Sequence, residues 1–194
     1  MNPCNSELLL PPWISDCSDY RNEILCSVNE RMKFAIELAR KNVFYGTGGP
    51  FGAAVFERAT GRLVAAGVNL VIRSSCSHAH AEMVAIALAQ HRIASYTLNH
   101  PDKPSHELVT SCEPCAMCFG AIIWSGISRL VCGASTSDAS SAGFDEGPKP
   151  DKWIEELEKR GIEVVTGVCR NEAQAVLQNY IDQGGIIYNA NPEQ

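Results

Sequence analysis

The stretch from Leu108 to Trp124 constrains the fold of this 194-residue chain more than any other segment. Leu108–Ser111 predicts a short strand, and Pro114 follows it almost at once. Proline is tolerated at the first position of a helix but not in the interior of a helix or a central strand. The helix Cys115–Trp124 is therefore predicted to begin there, and a strand that passes directly into a helix is typical of α/β proteins.

Strands and helices alternate along most of the chain, and Ser27 with Glu30 predicts a capping box at the start of the first long helix. The predicted elements are the helix from Val28 to about Gly46, the strands Gly52–Phe56 and Leu63–Val71, the helix Ala81–Ile93, the strand Leu108–Ser111, the helix Cys115–Trp124, the strand Arg129–Gly133, the helix Trp153–Arg160, the strand Ile162–Val168 and the helix Asn171–Gln183. This alternation favours a largely parallel sheet with helices on both faces. We expect an irregular N-terminal extension over residues 1–26, a single domain over residues 27–194 and a functional loop over Gly133–Pro150.

Composition excludes several classes of protein. The formal charge is −6 with no Lys/Arg-rich run, which argues against a polynucleotide partner. No apolar run approaches the roughly 20 residues of a membrane span, so no membrane partner is expected. The nine cysteines are an odd number and several lie in apolar runs, so a disulfide framework is not expected. The apolar stretch at Leu8–Leu10 is too short for a signal peptide, and a cytoplasmic location is predicted.

Cys115 and Cys118 lie three residues apart at a helix start, so both sulfurs are predicted on one face of the first turn. A helix N-terminus lowers the pKa of a thiol and favours the thiolate that a metal needs. Taken alone, the pair suits a redox-active disulfide or half of a four-cysteine structural zinc site equally well. Cys112 extends the run toward the spacing of an iron–sulfur loop, but the fourth ligand and the proline of that motif are missing. We interpret Cys112 as a strand-end residue packed near the metal.

His80 stands at the entry of the helix Ala81–Ile93 and supplies an imidazole. With Cys115 and Cys118 it makes three zinc-type ligands, which leave the fourth tetrahedral position open for water, as in a catalytic site. Glu82 is suited to general acid/base work; as an isolated residue it would only interact with the helix dipole. Since residues two apart on a helix face different directions, His80 and Glu82 converge only if the metal lies over the helix end.

The other histidines offer weaker alternatives. His78 forms a His-Ala-His pair with His80, a motif of barrel-type metal-dependent hydrolases, but such a barrel needs about 250 residues. We therefore predict His78 in a loop or behind the metal ligands. His91, His100 and His106 belong to no pattern and are predicted to be structural or solvated.

With His-x-Glu followed some thirty residues later by Pro-Cys-x-x-Cys, the chain resembles the zinc-dependent cytidine and nucleobase deaminase superfamily. The resemblance covers roughly Val28 to Gly147. It implies a three-layer α/β/α sandwich with a five-stranded mixed sheet, a bound Zn²⁺ and a homodimer. It also implies that His80, Cys115 and Cys118 hold the metal and that Glu82 moves the protons.

Within the superfamily the chain is most similar to the bacterial guanine deaminase branch. The stretches that carry this similarity are Gly48–Gly52, Asn69, Thr110–Cys115 and Ala142–Glu146. The last implies a second acid that relays a proton to the leaving amino group, and Glu146 stands where relatives usually carry aspartate. The similarity also implies contacts to a purine from Asn69, from the ring of Phe51 and from the backbone of Ala81. Trp124 is expected to line the pocket, and Tyr188 is a candidate for closing the neighbouring subunit's site.

The resemblance implies conversion of guanine to xanthine and ammonia, with amino-triazines and other aminopurines as further candidates. Deaminases of tRNA adenosine share the run Glu113–Cys118 and are the runner-up, together with cytosine or cytidine deaminases. The acidity of the chain and the presence of Glu146 favour a free base. A catalytically inactive, zinc-stabilised binding module is a further alternative, although neither Glu82 nor any metal ligand has been lost.

Overall fold

A computed structural model describes residues 10–15 and 24–189. Within these residues the chain forms five strands: β1 (Gly52–Glu57), β2 (Leu63–Val68), β3 (His106–Cys112), β4 (Arg129–Ala134) and β5 (Glu163–Val165). It forms eight helices there: α1 (Pro12–Ser15), α2 (Val28–Phe44), α3 (Val71–Ser74), α4 (Ala81–Arg92), α5 (Ala116–Ser125), α6 (Thr136–Ser141), α7 (Trp153–Glu158) and α8 (Arg170–Asp182).

The strands form one sheet in the order β2-β1-β3-β4-β5. β1 pairs antiparallel with β2 and with β3, whereas β3–β4 and β4–β5 are parallel. The five-stranded mixed sheet is confirmed, but the expectation of a largely parallel sheet is wrong. Two of its pairings are antiparallel, because the β1–β2 hairpin joins the sheet through β1.

Side chains alternate across the sheet and supply two hydrophobic cores. Along β3, Leu108 points into the core beneath α4, α5 and α7, and the next residue, Val109, points into the core beneath α2 and α8. Leu130 and Val131 of β4 alternate in the same way. Successive strand residues face opposite sides of a sheet, so this pattern gives the three-layer α/β/α sandwich.

Helix α2 begins at the predicted capping box. The backbone N–H of Glu30 donates to Ser27 Oγ (3.2 Å), and the backbone N–H of Ser27 donates to the Glu30 carboxylate (2.8 Å). The helix lies very close to β1, since a Cβ added at Gly52 would come within 2.4 Å of the Ala35 carbonyl oxygen. Glycine at this position lets α2 pack directly on the sheet.

The sequence predicts a loop over Gly133–Pro150, but part of this segment is helical. Residues Thr136–Ser141 form α6. The Ser, Thr and Asp residues of this stretch are typical of loops and turns, but Ser135 and Asp138 make a second capping box. Arg170 of α8 also donates to both carboxylate oxygens of Asp138, at 2.8 and 2.9 Å. A short helix is therefore stabilised by its cap and by a contact distant in sequence.

Part of the predicted N-terminal extension is described and lies against the domain. Ile14 of α1 is buried in the core beneath α2, and Ile24 forms an isolated bridge with Arg62. The rest of the predicted extension, residues 1–9 and 16–23, lies outside the described residues, as do residues 190–194. No helix in the described ranges has both the length and the apolar character that a membrane crossing requires.

Candidate active site

The site is built on the N-termini of two helices. His80 is the N-cap residue of α4, and Cys115 is the N-cap residue of α5. Both have extended backbone conformations, and neither side chain caps its own helix. Each side chain is therefore available to a shared point between the helix ends, where the helix dipoles favour negatively charged thiolates.

His80, Cys115 and Cys118 form a compact set of metal ligands. Their ligand atoms lie within 4.8 Å of one another, and no other such group of three or more occurs among the described residues. His80 Nδ1 lies 3.5 Å from Cys115 Sγ and 3.6 Å from Cys118 Sγ. Tetrahedral zinc with the usual bond lengths would separate a nitrogen and a sulfur ligand by about 3.6 Å. The donor atoms thus fit Zn²⁺ in both chemistry and spacing.

The two thiols differ in pKa because one donates a hydrogen bond to the other. The pKa of Cys115 is lowered to about 4, first by the hydrogen bond from Cys118 and also by the hydrogen bond with His80, against the effect of burial. The pKa of Cys118 is raised, because it donates that hydrogen bond and is buried. Since a metal binds the thiolate form, binding Zn²⁺ releases the remaining proton.

Glu82 lies at the second position of α4 and lines the same cavity as His80. Both side chains face this cavity because His80 is the N-cap and lies outside the helical repeat. Their spacing requires this arrangement over the helix end. The Glu82 side chain is buried. Burial is the main cause that raises its pKa, and the Cys115 thiolate adds to it.

Glu146 reaches the cavity from the loop that follows α6. Its carbonyl oxygen accepts a 2.8 Å hydrogen bond from the backbone N–H of Ala116, and its carboxyl atom Oε2 is buried without a hydrogen-bond partner. The pKa of Glu146 is raised to about 8 by burial and by the charges of Cys115 and Glu82. The raised pKa favours the protonated form of this half-buried carboxyl group.

Aromatic and amide side chains form the remaining walls of the cavity. Phe51 and Phe144 pack edge to face with ring centroids 4.9 Å apart, and both line the cavity. Asn69, at the end of β2, also lines it and is buried. The cavity encloses about 330 Å³, at the lower end of the range for small-molecule sites.

Trp124 does not line this cavity, so that prediction needs correction. Its side chain is 84% exposed in the last turn of α5. It follows Cys115 by nine residues, which is about 13 Å along a helix axis. Ala81 is fully buried at the first position of α4, between His80 and Glu82, and its contact with substrate stays a prediction.

The C-terminal segment supplies residues that the sequence did not assign to this cavity. Tyr188 was a candidate for a neighbouring subunit's site, but here Tyr188 and Asn189 line the cavity of their own chain. Asn189 donates to the Gly143 carbonyl and accepts from the Asp145 N–H, both at 2.9 Å. Phe144 was missed as a wall residue, although it lies within the quoted Gly-Phe-Asp stretch. No pattern in the sequence pointed to Asn189.

A three-ligand site that suits zinc, with a buried carboxylate beside it, fits a zinc-dependent hydrolase. Residues 27–134 match the family described as the cytidine and deoxycytidylate deaminase zinc-binding region. This match spans more than half of the chain, and the chain belongs to this family.

Three similar proteins illustrate its relationships. The solved guanine deaminase from Nitrosomonas europaea is 47% identical, with 93% of this chain and 97% of that chain covered and a TM-score of 0.86. The guanine deaminase of Bacillus subtilis (strain 168) is 41% identical over 115 residues, which is 59% of this chain and 69% of that protein. A tRNA-specific adenosine deaminase of Buchnera aphidicola subsp. Schizaphis graminum is 33% identical over 156 residues, which is 78% of this chain and 95% of that protein.

Proposed function

We propose that this enzyme converts guanine and water into xanthine and ammonia. The observation that carries the proposal is a pair of carboxyl groups, from buried Glu82 and half-buried Glu146, in one small cavity with zinc ligands. Hydrolytic deamination needs one group that takes a proton from water and one that supplies a proton to the departing nitrogen. The likeness to two guanine deaminases supports guanine as the base.

His80, Cys115 and Cys118 would hold Zn²⁺, and the bound ion would supply Lewis-acid activation of the attacking water. Glu82 would accept the proton of that water and pass it to a ring nitrogen as the new C–O bond forms at C2. Glu146 would hold its proton on the carboxyl group and donate it to the amino nitrogen as the C–N bond breaks. The proton of the new C2 hydroxyl group would return to the Glu146 carboxylate as the C2 carbonyl forms, which restores the acid. Each carboxyl group thus handles a different proton.

The walls of the cavity would orient the purine. Phe51 and Phe144 offer ring surfaces against which a flat base can pack. Asn69 would hydrogen-bond the polar edge of the base, since a side-chain amide offers both donor and acceptor. A site built on such bonds discriminates strongly against bases that lack the matching groups.

Deamination of tRNA adenosine is the second candidate, favoured by the likeness to the Buchnera enzyme over most of both chains. Two observations favour the free base over it. The chain is net negative, whereas polynucleotide binding draws on basic surfaces. Tyr188 and Asn189 also line the cavity, and an extruded nucleotide would have to share that space with them.

The deciding experiment is an ammonia-release assay with the zinc-loaded protein on guanine, cytosine, cytidine, adenine, amino-triazines and tRNA. The proposal expects guanine to give the highest kcat/KM. Activity confined to tRNA, cytosine or cytidine would overturn the choice of substrate. Zinc retained with no ammonia from any compound would instead identify an inactive zinc-stabilised module.

We also propose a homodimer in the cytoplasm. Met117 and Trp124 leave an exposed apolar face on α5, 37% and 84% accessible respectively, which a second copy of the chain would cover. Every cysteine among the described residues is a free thiol, which supports a reducing compartment.

A further inference from the structure

Asn42 occupies a buried position between α2 and the loops that carry the base-binding wall. It lies near the end of α2 and has no exposed surface. Its Nδ2 donates to the carbonyl oxygens of Gly49 and Asn69, each at 2.9 Å. One amide group therefore joins the Gly48–Phe51 loop to the end of β2.

The orientation of this amide is fixed by its surroundings. Asn42 Oδ1 accepts a 2.7 Å hydrogen bond from Thr47 Oγ1. An inverted amide would direct its oxygen at two carbonyl oxygens, so only one orientation satisfies all four groups. The two joined segments also approach closely, since a Cβ added at Gly48 would lie 1.9 Å from the Asn69 carbonyl oxygen.

The hydrogen-bond chain continues into the N-terminal segment. The indole N–H of Trp13 donates to Thr47 Oγ1 at 3.0 Å, and the Trp13 ring stacks on Tyr45 with centroids 5.7 Å apart. Helix α1, outside the part of the chain that matches the family model, is thereby connected through Thr47 and Asn42 to the backbone of Asn69.

We propose that Asn42 is a positioning residue for base recognition, and that Trp13 and Thr47 hold it in its working orientation. Asn42 acts through the backbone of Asn69, which places the Asn69 amide against the purine edge. This inference rests on the proposed function, because it takes the role of Asn69 from it. It gives the N-terminal segment a part in substrate specificity.

The main test is a double-mutant cycle. Asn42→Asp keeps the shape of the side chain but replaces the donor with an acceptor, and kcat/KM for guanine should fall about ten-fold or more. In an Asn69→Ala background the same change should have almost no further effect, because the group that Asn42 positions is gone. Asn29→Asp, an exposed substitution on the same helix, is the matched control. Losses that simply multiply in the double mutant would overturn the proposal.

Three milder variants test the proposal if Asn42→Asp does not fold. Thr47→Val removes the hydrogen bonds of the Thr47 hydroxyl group to Trp13, Asn42 Oδ1 and the Asn42 carbonyl at nearly constant volume, and Thr47→Ser restores the hydroxyl. Valine should raise KM for guanine by a few-fold and serine should return it toward the wild-type value. Trp13→Phe, which keeps a ring on Tyr45 but removes the N–H, should give a smaller rise in the same direction. Wild-type kinetics for Trp13→Phe would remove the N-terminal segment from the proposal.

Amide hydrogen exchange separates this inference from the proposed function. The Asn69 N–H donates to the Phe51 carbonyl at 3.1 Å, and Asn42→Asp should speed its exchange about ten-fold relative to Asn29→Asp. This readout does not depend on which base is deaminated. A protein that deaminates no base yet shows the faster exchange would refute the proposed function but not the positioning of Asn69 by Asn42. Unchanged exchange at Asn69 would refute that positioning role.

Discussion

The backbone N–H of Ala116 donates a 2.8 Å hydrogen bond to the carbonyl oxygen of Glu146. Ala116 is the first residue of α5, the helix whose N-terminus carries both cysteine ligands. This bond fixes the backbone of the Glu146 loop relative to those ligands. The depth to which the Glu146 carboxyl group enters the cavity therefore depends on the length of its side chain.

Glu146→Asp should lower kcat for guanine by about 10- to 100-fold, because the anchored backbone cannot follow the shortened side chain inward. KM should change little, since the carboxyl group is proposed to act on the departing nitrogen rather than to bind the base. Steady-state ammonia release gives both constants. Glu146→Gln, which carries no proton to donate, should be the weaker enzyme. Unchanged kcat in the aspartate variant would show that the reach of this side chain is irrelevant.

Glu82→Gln should bind zinc normally yet turn over guanine about 10²- to 10⁴-fold more slowly, the usual contribution of a general acid/base group. The amide preserves shape but cannot accept a proton from water. Zinc content by elemental analysis and kcat should be measured on the same preparation. Turnover near that of the wild type with full zinc would remove Glu82 from the mechanism.

The metal ligands were predictable from the sequence because their signal is local. Cys115 and Cys118 occupy one helical turn, and His80 precedes a second helix whose apolar character is plain in the sequence. The capping box of α2 was predictable for the same reason, since Ser27 and Glu30 are three residues apart. Local spacing was enough to fix each of these features.

Features that depend on distant contacts were not predictable in this way. In the sequence, Asn42 is an ordinary polar residue near the end of a helix. Its hydrogen bonds to the Gly49 and Asn69 carbonyl oxygens form only in the folded chain. Helix α6 depends on Arg170, which lies 32 residues after Asp138. The expectation that Trp124 lines the cavity rested on the resemblance and not on its distance from the metal ligands. Trp124 lies in the last turn of α5, whereas the cavity lies at the N-terminus of that helix.

The stability of the metal-free protein should depend on pH through Glu146. Its pKa is raised from the ordinary 4.5 to about 8, first by burial and then by the charges of Cys115 and Glu82. Between these values the folded protein holds more protons at this group than the unfolded chain does. Its contribution to stability is therefore complete below pH 4.5 and is lost as the pH rises through about 8.

Glu146→Gln removes this titration. The Tm of the metal-free variant minus the Tm of the metal-free wild type should therefore be several degrees larger at about pH 8.5 than at about pH 5. Calorimetry after exhaustive chelation provides the comparison. A difference in Tm that stays constant across this range would mean that Glu146 titrates normally in the folded protein.

Asp138→Asn should lower the free energy of unfolding by about 1–2 kcal/mol at neutral pH, since it disrupts a charged pair with the half-exposed Arg170. The hydrogen bond from Arg170 is the main cause that lowers the pKa of Asp138. The pair therefore stabilises the folded protein at a pH above the ordinary pKa of aspartate. This stabilisation is lost as the pH falls through the lowered pKa of Asp138. Urea unfolding should show the two proteins converging in acid. Arg170→Gln should cost a similar amount, and the double mutant should cost little more than either.

Trp124→Lys should convert the proposed homodimer into a monomer, because it places a charge at the centre of the exposed apolar face of α5. Trp124 is 84% exposed in the single chain and Met117 lies on the same face. Phe44→Lys is a matched control, since Phe44 is 76% exposed at the end of α2, which packs on the opposite side of the sheet from α5. Sedimentation velocity should report a halved mass for the tryptophan variant alone, and a wild-type protein that sediments as a monomer would refute the dimer.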